Sequence, residues 1–307
     1  MAPVPGFHHP DRIGTLFHPD LAAIAAEAEA AGLPAAEKDS RKVMLLIVDM
    51  QVDFCHAQGA LYVPGALDDI RRLIGFIFRN AERITRITCS LDSHYPFQIF
   101  HPAWWADSAG RHPLPFTIIS AEDVEKQRWR PVLHPDWSLE YVQRLHREAK
   151  KQLTIWPYHV PIGGVGNSLD PELWSAVFWH AVARRSQPVW WTKGGIPRTE
   201  HYSILKPEIE IADEPQGLLN RDFIRSVEEF DVLVIAGEAE SHCVLETVED
   251  LVDVFRHRPD QLAKLRILTD CTSPVRHPQI DFHAIAQSRF KEFASRGVKL
   301  VTSKEPC

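Results

Sequence analysis

The sequence predicts a three-layer α/β/α fold built on a six-stranded, mainly parallel, doubly wound sheet. Short apolar stretches of strand length recur along the chain, and stretches with helical periodicity separate them. Because parallel strands need a crossover connection, usually a helix, this alternation is typical of a parallel sheet with helices on both faces. The first strand, VMLLIVDM, opens with an uninterrupted apolar run before its aspartate, which indicates burial on both faces.

The elements follow one another in a regular order. Helical patterns lie between the strands, for example ALDDIRRLIGFIFRNAERI, PELWSAVFWHAVARR and CVLETVEDLVDVF. Residues 1–40 are predicted to be an N-terminal extension that packs on the surface or frays, because Pro/His-rich clusters flank one short Ala/Glu-rich helix. Residues 41–307 would form the main domain. The predicted strands are 43–50, 84–92, 188–195, 231–238, 265–271 and 298–303.

The stretch from about 95 to 170 interrupts this alternation, and we predict an irregular or helical insertion there. It is rich in Pro, Trp and His, as in HPAWWADSAGRHPLPF, and shows no clear strand. So long an excursion is typical of a lid, an interface element or a small inserted subdomain. Aromatic surface on the insertion and the N-terminal extension would favour a homo-oligomer.

Composition limits the function classes. The net charge of −7 argues against nucleic acid or an anionic membrane as the main partner. No apolar run reaches the about 18 residues that predict a membrane span. The segment MAPVPGFHHPDRIGTLFHPD lacks the basic and apolar regions of a signal peptide. The five cysteines show no paired spacing, which is typical of a reducing compartment, so we expect a cytoplasmic protein.

Three chemically complementary side chains follow different predicted strands, at the sheet edge where open α/β folds bind ligands. Asp49 ends the first strand, Lys193 ends the third, and Cys243 follows the fourth at the start of a helix. Each has an ordinary alternative explanation, namely a turn cap, a solvated lysine or an inert buried thiol. Together they predict a reactive cysteine, because a helix N-terminus and a nearby lysine both lower the pKa of a thiol.

Five motifs resemble those of the isochorismatase-like cysteine hydrolases, most of all the nicotinamidase/pyrazinamidase branch. They are VDMQVDF, LDSH, IWPYHVPIGGVGNSLDPEL, WTKGG and GEAESHCVLET. The resemblance implies that Asp49 is the general acid/base, Lys193 its electrostatic partner and Cys243 the nucleophile. The backbone N–H groups of Cys243 and Ala239 would form an oxyanion site, in a loop where this family often has a cis peptide bond, here Glu238–Ala239.

The same resemblance implies a metal site. Asp92, His94 and His159 would be the ligands, with His101 as a weaker candidate. One carboxylate and two imidazoles suit a divalent metal, zinc first, with iron or manganese as alternatives. The spacing of the Asp-x-His pair alone would be weak evidence, since surface loops collect such pairs.

The family's aromatic positions correspond to Phe54 and Trp156, which would flank a flat substrate ring, although core packing explains them equally well. The implied function is hydrolysis of a small nicotinamide-like carboxamide to acid and ammonia through a cysteine thioester. Alternatives are the same chemistry on a ureido, carbamoyl or maleamate-like amide, a metal-dependent hydrolase with an incidental cysteine, and a catalytically silent scaffold. Glu240-Ser241 and Val160 depart from the family pattern.

Overall fold

A six-stranded sheet forms the centre of the molecule, in a computed structural model that describes residues 4–148, 151–277 and 280–307. The strands are β1 (Val43–Val48), β2 (Arg86–Asp92), β3 (Val189–Lys193), β4 (Val232–Gly237), β5 (Leu265–Leu268) and β6 (Lys299–Val301). All neighbouring strands of this sheet are parallel, in the order β6-β5-β4-β1-β2-β3. The predicted six-stranded α/β/α fold is therefore confirmed.

Helices cover both faces of this sheet. One apolar core contains residues from α1, α3 and α6, and the core on the other face contains residues from α5, α7, α8 and α10. The helices are α1 (Leu21–Ala30), α2 (Val52–Cys55), α3 (Ala66–Asn80), α4 (Ala121–Glu125), α5 (Pro135–Glu148), α6 (Pro171–Arg184), α7 (Arg221–Glu228), α8 (Leu245–Val254), α9 (Pro259–Leu262) and α10 (Phe282–Ser295). Within the described ranges, no helix combines the length and the apolar character that crossing a membrane requires.

The central strand β1 shows why the apolar runs had to be continuous. All six of its residues are buried. Successive side chains of a strand point to opposite faces, so Leu46 and Val48 join the core beside α8 while Leu45 and Ile47 join the core beside α3. A strand between two helical layers has no face left for polar side chains.

The described part of the N-terminal region packs against α6. Ile24 and Ala28 of α1 are buried in the core that α6 shares. Ahead of α1, the Gly14 N–H donates to Asp170 Oδ2 at 2.9 Å, and His8 Nδ1 lies 2.7 Å from Glu172 Oε1. The division of the chain at residue 40 stays a prediction.

The insertion, which we predicted to be irregular or helical, contains the helices α4 and α5 and also short strands. Two antiparallel ladders pair Trp105–Ala106 with Arg130–Pro131 and Ile118–Ile119 with Leu153–Thr154. Strands of two residues are too short to leave a periodic pattern in the sequence. Trp104 is 1% exposed and Trp105 is fully buried, so neither supplies the aromatic surface behind the expected homo-oligomer, which stays a prediction.

The strand order places the ends of β1 and β4 at the centre of the sheet. These strands are neighbours, and the chain continues from β1 towards one edge through β2 and β3, and from β4 towards the other through β5 and β6. Such a point of reversal leaves a crevice at the carboxyl ends of the two strands. Asp49 directly follows β1, and the loop after β4 leads to Cys243.

Candidate active site

Lys193 lies at the centre of a buried polar cluster in this crevice. Its Nζ lies 2.9 Å from Asp49 Oδ2 and 3.0 Å from Asp92 Oδ1. The same Nζ donates hydrogen bonds to Cys243 Sγ at 3.5 Å and to the backbone carbonyl of His201 at 3.0 Å. A buried ammonium group requires such partners. The residues predicted as acid/base, cation and nucleophile are thus brought together.

The first of these, Asp49, is held by the neighbouring strand β2. It has a φ of 45°, a left-handed conformation that aspartate tolerates better than most residues. Ser90 of β2 accepts from the Asp49 N–H at 3.2 Å and donates its hydroxyl to Asp49 Oδ1 at 2.6 Å. The second carboxylate oxygen remains for Lys193 of β3. Asp49 is therefore oriented from β2, and its charge partner comes from the strand beyond β2.

A tight turn after β4 brings Cys243 to the crevice. Gly237 has a φ of 131°, and a Cβ there would lie 2.0 Å from the Val48 carbonyl oxygen, so only glycine fits. The next bond, Glu238–Ala239, is cis, and it is the bond for which the family resemblance implied this geometry. Residues Glu240–Val244 then form a wide helical turn that runs directly into α8.

The thiol is less acidic than the sequence led us to expect. Burial raises the pKa of Cys243 well above its usual value, and the Lys193 ammonium only partly opposes this effect. We expected the lysine and the helix N-terminus to give this thiol a lowered pKa. That expectation is wrong, because burial outweighs the effect of the lysine. Burial likewise raises the pKa of Asp49 against the opposing effect of Lys193. A thiol in this environment needs a base to remove its proton, and Asp49 is the carboxylate within reach.

Three further buried residues form a compact group beside the lysine. Asp92, His94 and His159 each bring one ligand atom to within 4.8 Å of the others. His94 Nδ1 lies 3.1 Å from the Gly194 carbonyl oxygen and His159 Nδ1 lies 2.7 Å from that of Pro157. Since a carbonyl can only accept, each Nδ1 carries the ring proton.

The other ring nitrogens face the same carboxylate. His94 Nε2 lies 2.9 Å and His159 Nε2 lies 3.9 Å from Asp92 Oδ2. Burial lowers the pKa of His94, but the charge of Asp92 and a hydrogen bond to it outweigh burial and raise that pKa. Two Nε2 atoms that converge on one carboxylate, with the opposite nitrogens held by carbonyls, are the usual arrangement of a histidine metal site. The donor set therefore fits a divalent cation.

His101, the weaker candidate, lies next to this group. Its ring centroid is 5.9 Å from that of His94 and 6.0 Å from that of His159. Burial lowers the pKa of His101 to about 4, so the ring is neutral at physiological pH. Gly194 keeps this region compact, because a Cβ there would lie 2.5 Å from Asp92 Oδ1.

Phe54 and Trp156 line a small pocket that opens onto Cys243. The pocket walls also include Ala239, His159 and Tyr202. Phe54 is 6% and Trp156 4% exposed, and the Phe54 ring packs edge-on against His159 with centroids 5.5 Å apart. Both aromatic side chains therefore combine core packing with a position on the pocket wall.

Two residues in this region were not predicted. The side chain of Gln51 donates to the Asp92 carbonyl at 2.7 Å and accepts from the Asp92 N–H at 2.8 Å, which fixes the backbone of a candidate ligand. Its place inside VDMQVDF was the available signal. Glu200 lines the pocket and accepts from Trp156 Nε1 at 3.0 Å, and burial raises its pKa to about 7. Glu200 lies in a loop, where no sequence period marks it.

Comparison with known proteins supports the fold assignment. No family model matches the chain, and no curated protein matches its sequence. The yeast nicotinamidase bound to the inhibitor nicotinaldehyde superposes with a TM-score of 0.56 at 17% identity, over 85% of this chain and 99% of that one. This chain has the fold of a nicotinamidase.

Further solved structures share this fold. An Acinetobacter baumanii nicotinamidase/pyrazinamidase gives a TM-score of 0.54 at 16% identity, covering 87% of this chain and 98% of that one. PnC1 from L. infantum in complex with nicotinate gives 0.52 at 17% identity, covering 88% and 96%. The nicotinamidase fold therefore accounts for most of the chain.

Proposed function

We propose that this protein is a cysteine amidohydrolase that releases ammonia from a small, nicotinamide-like carboxamide. The observation that carries the proposal is the arrangement around Lys193 Nζ, where a carboxylate oxygen of Asp49 lies at 2.9 Å and the Cys243 sulfur at 3.5 Å. A nucleophile that lines a pocket, with a cation and a base beside it, is what acyl transfer through a thioester requires.

The first step transfers the Cys243 proton to Asp49 as the sulfur attacks the carboxamide carbon. Lys193 remains charged, because the Asp49 and Asp92 carboxylates outweigh burial and raise the pKa of Lys193. It therefore stabilises the thiolate as it forms. We assign the oxyanion to the backbone N–H groups of Ala239 and Cys243, both of which line the pocket.

The second step expels ammonia. Protonated Asp49 returns its proton to the leaving nitrogen, the carbon–nitrogen bond breaks, and the acyl group stays on Cys243 as a thioester. Water then attacks the thioester and Asp49 accepts a proton from that water. The sulfur leaves and takes this proton back from Asp49, which restores the Cys243 thiol and the Asp49 carboxylate. Asp49 thus acts alternately as base and acid in both half-reactions, which suits a carboxyl group whose pKa burial has raised.

We further propose that Asp92, His94 and His159 hold a divalent metal, with zinc as the first candidate and iron or manganese as alternatives. When bound, such an ion would supply a Lewis acid for a coordinated water or a substrate ring nitrogen. Other groups of the chain hold the three ligand side chains in place. Gln51 fixes the Asp92 backbone, and carbonyl groups orient both imidazoles.

The pocket lining supports the substrate class. Phe54 and Trp156 offer flat walls, and two of the solved structures with this fold contain nicotinaldehyde or nicotinate. We propose that both side chains contact a planar ring. Flat walls would also suit other planar amides, so carbamoyl compounds are the relevant comparison substrates.

The test is an ammonia-release screen with nicotinamide, pyrazinamide and a carbamoyl panel. Wild-type protein is expected to release ammonia from at least one pyridine-type amide, and Cys243→Ala to lose at least about 10⁴-fold in kcat. Cys271→Ala, which removes a buried thiol outside the site, is the matched control and should keep wild-type rates. Full activity in Cys243→Ala, or no ammonia from any pyridine-type amide, would contradict the proposal.

A further inference from the structure

Behind the candidate oxyanion loop lies a second cluster of polar groups, which the proposed chemistry does not use. Its members are Asp69 of α3, Glu238 and Ser273, and we call it the Glu238 cluster. Glu238 is fully buried and Asp69 is 1% exposed. Glu238 Oε2 accepts from the Ser273 N–H at 3.1 Å, and Asp69 Oδ2 accepts from the Ser273 hydroxyl at 2.5 Å.

The two carboxyl groups of this cluster both bind Ser273, Glu238 at its N–H and Asp69 at its hydroxyl, and each affects the pKa of the other. Two buried carboxylates held this close repel each other when both are ionised, which favours a proton on one of them. Asp69 is the charged partner, because Arg72 Nη2 lies 2.6 Å from its Oδ1. Glu238 Oε1 receives no hydrogen bond from any N–H or hydroxyl group in the described part of the chain, so the proton belongs on Glu238.

The electrostatic surroundings agree with this assignment. Burial, followed by the Asp69 carboxylate, raises the pKa of Glu238 well above its usual value. The other titratable groups that face the cluster are Arg72 of α3, Cys55 of α2, Cys271 after β5, and Glu240 on the same loop. Arg72, the one cation among them, lies on Asp69 rather than on Glu238.

The cluster is connected to the reactive loop at both ends. The Glu238 N–H donates to the Val48 carbonyl at 2.8 Å, at the end of β1. The Glu240 N–H donates to the Ser273 carbonyl at 2.8 Å, and Ser241 Oγ accepts from the Val275 N–H at 3.1 Å. Residues 273–275 therefore bind the loop from Glu238 to Ser241, and Glu238 binds residue 273 in return.

The same contacts account for the departure from the family pattern at Glu240-Ser241. The Glu240 carboxylate accepts from Gln287 Nε2 at 2.5 Å and lies 2.8 Å from His283 Nδ1, both on α10. Ser241 supplies the bond to residue 275. The loop is thus tied to α3, to α10 and to the segment after β5 by acidic and hydroxyl side chains of its own.

We propose that Glu238, in its neutral form, is a positioning residue that holds Ala239 and Cys243 in register through Asp69 and Ser273, so that the site loses turnover when this proton is lost at alkaline pH. The proposal rests on the amidohydrolase function proposed above. Ionised Glu238 would place a second negative charge against Asp69 in a buried space, and relief of that repulsion requires the loop to move.

Two substitutions distinguish the hydrogen-bonding role of the Glu238 side chain from the role of its proton. In Glu238→Gln the side-chain amide keeps the shape of the neutral carboxyl group and its oxygen still accepts from the Ser273 N–H, but nothing titrates. We expect kcat within about twofold of wild type at neutral pH, and an alkaline decline that moves to higher pH. Glu238→Leu removes the hydrogen bond to Ser273 and should lower kcat about tenfold with a smaller change in KM. Asp68 is an exposed neighbour of Asp69 on α3, and Asp68→Asn should match wild type in kcat and in its alkaline decline.

A second readout does not depend on turnover. Hydrogen–deuterium exchange of the amides at 239–244 should be as slow in Glu238→Gln as in wild type, and faster in Glu238→Leu. If no variant releases ammonia, the proposed function fails while the exchange still tests the positioning role. The inference is overturned if wild type and Glu238→Gln share the same alkaline decline, a result that stands even if Glu238→Leu does not fold. The inference is also overturned if a folded Glu238→Leu variant exchanges its amides at 239–244 as slowly as wild type does.

Discussion

The adjacent strands β4 and β5 are each followed by a buried cysteine, and the two cysteines have different surroundings. Cys243, after β4, accepts a hydrogen bond from Lys193 and lies at the Asp49 carboxylate. Cys271, after β5, is fully buried and contacts Asp270, with a sulfur-to-oxygen distance of 3.7 Å. Burial raises the pKa of both thiols, but the nearest strong charge opposes that effect at Cys243 and adds to it at Cys271.

The difference follows from the position of each strand in the sheet. β4 pairs directly with β1, which delivers Asp49, while β5 lies one strand farther away. With neighbouring strands about 4.8 Å apart, that step puts Cys271 beyond the reach of the Asp49 carboxylate. The charges around a cysteine at a strand end are therefore set by what the neighbouring strands deliver, not by its own place in the sequence.

The largest effect is expected from removing the cation that distinguishes the two cysteines. Lys193→Met leaves two buried carboxylates without their partner, and we expect kcat/KM to fall about 10²- to 10³-fold and the free energy of unfolding to fall by about 3 kcal/mol. Ammonia release and urea denaturation measure these effects. Iodoacetamide labelling of Cys243 should also slow, because the Lys193 ammonium lowers the pKa of that thiol. Unchanged labelling of Cys243 and unchanged turnover would show that Lys193 does not cause the difference between the two cysteines.

An intermediate effect is expected at the metal group, which shares Lys193 through Asp92. His159→Ala removes one converging ring nitrogen, so binding of Zn²⁺ measured by titration calorimetry should weaken by at least about 10- to 100-fold. Labelling of Cys243 should persist, because the thiol keeps its lysine. His101→Ala is the matched control and should change the zinc affinity less. An equal loss of zinc affinity in both variants would indicate that His101 is also a ligand.

The smallest effect is expected at the hydrogen bond that orients the base. The Ser90 hydroxyl favours the charged form of Asp49 and so lowers the pKa of that carboxyl group. In Ser90→Ala the pKa should rise further, and the acidic limb of kcat/KM against pH should move to higher pH by about one unit. Thr88→Val is the control, since Thr88 precedes Ser90 on β2 and its hydroxyl has no partner among the described residues. An unshifted limb in Ser90→Ala would exclude Asp49 as the titrating base.

Part of the site could be predicted because it depends on strand ends. The end of a parallel strand is visible in the sequence as the last residue of an apolar run, and all such ends lie on one edge of the sheet. Asp49, Lys193 and Asp92 were located in this way. Gln51 and Glu200 were not, because a residue that fixes a neighbour's backbone or closes a pocket wall does so through contacts between distant segments.

The sequence by itself determined the layered α/β/α fold, since continuous apolar strands and amphipathic helices can be buried together in few other ways. It also determined which polar side chains lie at the carboxyl ends of the strands. Only the tertiary structure decided how acidic those groups are. The net rise in the pKa of Cys243 and the proton assigned to Glu238 both come from burial beside particular charges. Asp69 and Glu238 are far apart in the chain, so their contact exists only once α3 packs against the loop after β4.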